Sequence, residues 1–73
     1  MSFNYSKLLG RIVEICGTQA KFAEAMSLSE RTVSLKLNNK ISWRQNEIEQ
    51  ACKVLDIPYR EIPAYFFAAK SQY

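Results

Sequence analysis

The chain has 73 residues, 48% of them apolar, with 10 Lys and Arg against 7 Asp and Glu and a net charge of +3. That length allows one domain with a modest core, and the apolar share argues against disorder. There is no histidine, so a nucleophile activated by imidazole is excluded, and no glycine-rich phosphate cradle is present.

In chain order, residues 1–4 read as a loose lead-in. Residues 5–16 follow helical spacing. Tyr5, Leu8, Leu9, Ile12, Val13 and Cys16 are the apolar stripe, and Lys7, Arg11 and Glu14 fall outside it. Ser6 is an alternative N-cap, Gly10 costs about 1 kcal/mol against Ala inside the helix, and Gly17 ends it. The stretch 18–40 then reads as two short helices joined by a tight turn. Thr18 is an N-cap. Residues 19–26 carry Phe22, Ala23 and Met26 on one side, and Ala20 and Ala23 allow a close helix crossing. Ser27, Leu28 and Ser29 break the pattern, and Ser29 caps again. Residues 30–38 form the second helix, with Val33 and Leu37 inward and Asn38-Asn39 as the stop.

A connecting loop over 40–42 leads to a fourth helix, opened by a capping box of Ser42 and Gln45. Trp43 reads there as a core anchor, with Ile48, Ala51, Cys52 and Leu55 on the apolar side. Residues 56–58 end that helix, and Pro58 starts a fifth over 59–62. Pro63 interrupts it or starts one more turn through 64–69. The expected fold is all-α: a compact bundle of about five helices in one domain, 1–73.

The outer face of the third helix holds Glu30, Arg31, Ser34 and Leu35, flanked by Lys36. That chemistry suits a DNA major groove, in the arrangement called helix-turn-helix, whose second helix reads bases. Between residues 18 and 40, Lys21, Arg31, Lys36 and Lys40 outnumber Glu24 and Glu30. Over 41–56 the balance reverses, as expected if the first segment meets phosphate.

These residues resemble the Cro/repressor (lambda repressor-like, XRE-type) family of phage and bacterial regulators. The match rests on Gln19, Ala23, Met26, Leu28, Val33 and Asn38, and extends over about residues 5–57. Two positions depart. Ser27 stands where that family has glycine, and Lys36 stands where many members have an apolar residue. The resemblance implies a Cro-like repressor, phage- or prophage-encoded, bound to a double-stranded operator.

The expected base contacts are Ser29, Glu30, Arg31, Ser34 and Leu35. The expected phosphate contacts are Thr18, Gln19, Lys36, Asn38, Asn39, Lys40 and Arg44. Proteins of this kind pair, with half-sites one helical turn apart. The C-terminal segment 58–73 is assigned to that pairing through Tyr65, Phe66 and Phe67, with Ile62 and one of Phe66 or Phe67 turned inward. The homodimer is expected to be weak in solution and firm on DNA.

Cys16 and Cys52 read as reduced, buried thiols in a cytoplasmic protein, nucleoid-associated when on DNA. No signal peptide or membrane span is expected, and no metal, cofactor or small-molecule ligand. The competing reading is a small helical module, antirepressor- or antitoxin-like, that binds a protein and not DNA on its own.

Overall fold

A computed structural model describes residues 2–70. Met1 of the lead-in and residues 71–73 of the C-terminal segment lie outside the described residues. Among the described residues five α-helices follow one another: α1 (Ser6–Cys16), α2 (Gln19–Met26), α3 (Glu30–Leu37), α4 (Gln45–Leu55) and α5 (Ile62–Phe66), with a 3-10 turn (Tyr59–Glu61) before α5. Among the described residues no strand forms beyond one antiparallel bridge, Phe3 with Ala69. Among the described residues no helix is long and apolar enough to cross a membrane.

Side chains cap α2 and α3 at their starts. Asn4 Oδ1 accepts from Ser6 N at 2.9 Å, so Ser6 is the first helical residue and not the cap. Gly17 ends α1 at φ 87°. Thr18 Oγ1 accepts from Lys21 N at 3.1 Å, and Ser29 Oγ accepts from Thr32 N at 3.0 Å. Both caps match the expectation, because an N-cap is decided by residues a few positions apart. Ser27 takes the left-handed conformation at φ 59°. A residue with a Cβ pays about 1–2 kcal/mol there.

The start of α4 differs from expectation. Trp43 precedes the helix, Arg44 is the cap position, and Glu47 Oε1 accepts from Arg44 N at 2.8 Å. Ser42 caps nothing; its carbonyl is used elsewhere. At the far end Asp56 turns left-handed at φ 54°. Arg11 reaches across from α1 to close that end, donating to the carbonyls of Leu55 at 2.8 Å and Asp56 at 3.2 Å.

Phe22, Phe66, Leu8, Ile12, Leu55 and Val33 are the largest fully buried side chains. They come from all five helices, so the core is one cluster. Leu37 is buried beside Val33, as its spacing requires. Trp43 anchors the α4 end, edge-on to Phe66 at 5.3 Å and to Tyr5 at 6.5 Å. Part of the α1 stripe is corrected: Leu9 is 39% exposed and Val13 is 62% exposed. The buried arc of α1 is narrower than its apolar arc. Ala20 is exposed too, and of the two alanines only Ala23 is buried.

The lead-in is also corrected. Phe3 N donates to Asn39 Oδ1 at 2.9 Å and Asn39 Nδ2 donates to Phe3 O at 3.0 Å. Asn4 N donates to Ala68 O at 2.8 Å. The arm is thus held between the exit of α3 and the segment after α5.

Candidate partner-binding surface

Helices α2 and α3 stand together with their outer sides free. Lys21, Glu24, Ser29, Glu30 and Arg31 are exposed, as are Thr18, Lys40 and Arg44 around them. Gln19, Leu28, Thr32, Ser34 and Leu35 are half-buried. Among the described residues the side chains of Lys21, Glu24, Glu30, Arg31 and Lys40 take part in no ion pair. The surface therefore presents both signs of charge around a partly apolar seam of Leu28 and Leu35.

Several residues expected to contact DNA are engaged by the protein itself. Lys36 is the clearest correction. It is only 3% exposed, and its ammonium meets Glu47 Oε1 at 2.8 Å and the Ser42 carbonyl at 2.9 Å. The Trp43 ring lies 5.8 Å away. Lys36 follows Val33 by three residues, so helical spacing already placed it inward. The signal that was missed is Glu47, a carboxylate on α4 able to receive it.

Asn39, left-handed at φ 62°, spends its amide on Phe3 as described. Asn38 Nδ2 turns back on its own helix, donating to Ser34 O at 2.8 Å and approaching Ser34 Oγ at 3.3 Å. Ser29 Oγ also donates to Thr32 Oγ1 at 2.8 Å. The exposed residues left from the expected contact set are Thr18, Glu30, Arg31, Lys40 and Arg44, with Gln19 and Leu35 partly covered.

At the aromatic end Tyr65 is turned inward against expectation, and Phe66 is the inward one of the pair Phe66 and Phe67. Tyr65 is 9% exposed and Phe66 1%. Tyr65 lies under Lys7 Nζ, 4.7 Å from the ring centre, and Phe66 lies under Trp43. Neither faces outward to meet a partner. Phe67 is half-exposed, leaning edge-on against Phe3 at 5.7 Å, and Ile62 is partly buried.

Glu47 is a titratable group that the fold perturbs. Burial pushes its carboxyl up, but hydrogen bonds from Lys36 and the Arg44 amide, with the charges of both residues, outweigh that and hold it below the ordinary value of 4.5. A carboxyl lowered on folding stabilises the native state above its unfolded pKa, and the gain is lost as pH falls through the native value. The urea midpoint should therefore hold from neutral pH to about pH 4.5 and drop below it. A Glu47→Gln variant should show a smaller drop over the same acid range. An equal drop would place the acid-sensitive group elsewhere. Cys16 and Cys52 are free thiols, and burial raises the Cys52 pKa.

The comparisons bear on the family. A model for the family DUF739, proteins of unknown function, matches residues 1–69. A solved structure matches with a TM-score of 0.82 and 58% identity, covering 99% of this chain and 97% of that one. It is the solution structure of the modulator of repression of the temperate bacteriophage TP901-1 from Lactococcus lactis. No curated protein matches. The expected membership of the Cro/repressor, XRE-type family is overturned by the family and the structure that do match. Lys36, which departed from that pattern, is half of a buried ion pair. The chain belongs to the DUF739 family.

Proposed function

We propose that this protein modulates repression in a phage-type gene switch, and that it does so by presenting the outer side of α2–α3 to a repressor protein. The observation that carries this is the 58% identity, over 99% of the chain, to a phage modulator of repression. The surface chemistry supports it. Glu24 and Glu30 beside Arg31 and Lys21, around Leu28 and Leu35, form a mixed patch suited to a protein and partly repelled by phosphate. The burial of Lys36 and the internal bonds of Asn38 and Asn39 remove three of the donors that a DNA backbone would use.

A second reading is direct contact with duplex DNA, which the exposed Arg31, Lys21, Lys40 and Arg44 favour. Pairing into a homodimer on a two-fold site belongs to this reading, with Phe67 as its remaining aromatic contact.

One titration separates the readings. The purified protein is added to the repressor of phage TP901-1, free and on its operator, and separately to duplex DNA across a salt series. The expected result is binding to the repressor, with Arg31→Ala weakening it by about 1–3 kcal/mol and leaving the circular dichroism unchanged. Affinity for duplex DNA alone that falls steeply with salt would favour the second reading. Binding to neither, or an unchanged Arg31→Ala variant, would remove α2–α3 as the working face.

A further inference from the structure

A cleft of about 540 Å³ opens between the start of α4 and the 3-10 turn and α5. Its volume falls in the range of about 300–1,000 Å³ typical of ligand sites. Three of its walls are aromatic: Trp43, Tyr59 and Phe67. Tyr59 is 61% exposed and Phe67 51%, large aromatic surfaces left in water. Ile62 adds an apolar wall, and Glu49 and Gln45 bring a carboxylate and an amide oxygen to the lining. Both residues are exposed. Among the described residues Glu49 takes part in no ion pair.

Aromatic faces attract cations, and a nearby carboxylate adds charge complementarity. Trp43 already has one cation beside it, the Lys36 ammonium at 5.8 Å, neutralised by Glu47. A purely apolar occupant would leave Glu49 unused. An ammonium would satisfy Glu49 but would not stack. A guanidinium does both, because its planar fork lies on aromatic rings and donates to a carboxylate and an amide oxygen together.

We propose that this cleft binds an arginine side chain presented by a protein partner. The inference goes beyond the repressor reading, and small probes test the cleft whether or not α2–α3 binds a repressor. Trp43 is the single tryptophan of the chain, so its emission and its indole resonance report on changes at its ring.

The full-length protein is titrated with argininamide and, separately, with citrullinamide, the uncharged analogue of nearly the same shape. Argininamide should bind saturably, shift the Trp43 indole resonance, and bind about five- to tenfold more tightly than citrullinamide. Glu49→Gln should erase most of that preference. Phe67→Ser, with folding confirmed by circular dichroism, should weaken binding of argininamide. Equal binding of the two amides would overturn the proposal, since the cleft would then be a plain apolar groove. So would the absence of saturation, or an undiminished preference in the Glu49→Gln variant.

Discussion

Replacing Lys36 with methionine should cost about 3–5 kcal/mol. The stem of Lys36 is already among core side chains, so methionine fits the space and the loss is electrostatic. Glu47, with a side chain only 13% exposed, would keep its bond from Arg44 N and lose its counter-charge. An unpaired carboxylate there must protonate or draw in water. Against a total stability of about 5–15 kcal/mol for a domain, the variant should be close to unfolding at room temperature. The double variant Lys36→Met with Glu47→Leu should recover most of the loss, because exchanging a whole buried pair for apolar groups is often neutral or favourable. Urea denaturation of the wild type and both variants measures this. A single variant as stable as wild type would mean that Glu47 finds solvent without Lys36.

The other large effect is expected at Phe66. Phe66→Ala removes one of the largest fully buried side chains and should cost about 3–5 kcal/mol. It also removes the ring on which Trp43 stands edge-on at 5.3 Å, a pair worth about 0.5–1.5 kcal/mol beyond its area. Thermal unfolding followed by near-ultraviolet circular dichroism should show a large fall in midpoint. Phe67→Ala, one residue later, should cost less than half as much, since that ring is half in water. Equal losses at the two positions would mean that α5 is rotated from the orientation described.

These two residues also mark where the sequence is readable and where it is not. Thr18, Ser29, Gly17 and the left-handed Asn39 are legible because caps and stops depend on a few neighbouring residues. Val33 and Leu37 are legible because α3 has one apolar pair and a polar remainder. The α1 stripe is overread, since Leu9 and Val13 satisfy helical spacing without any neighbour to cover them. Phe66 and Phe67 are adjacent, so periodicity alone cannot choose between them; the direction of α5 against Trp43 does. Lys36 is misassigned for another reason. Its position points inward while its charge points outward, and only the distant Glu47 resolves the conflict. The bond of Asn39 to Phe3 spans 36 residues, beyond any local pattern. On the candidate surface, exposure of Glu30 and Arg31 follows from spacing, but which macromolecule meets them does not.

The clasp of Phe3 with Asn39 and Ala69 has a consequence in time. Its bridge joins residues 3 and 69, so closing it carries the loop entropy of most of the described residues. The helices and their caps form from neighbours and can be in place first. The clasp is then the last part to close and, with few bonds holding it, the first to open. When it opens, Asn39 loses the partners that repay its left-handed backbone. The exit of α3 is thereby coupled to the arrival of the chain's beginning.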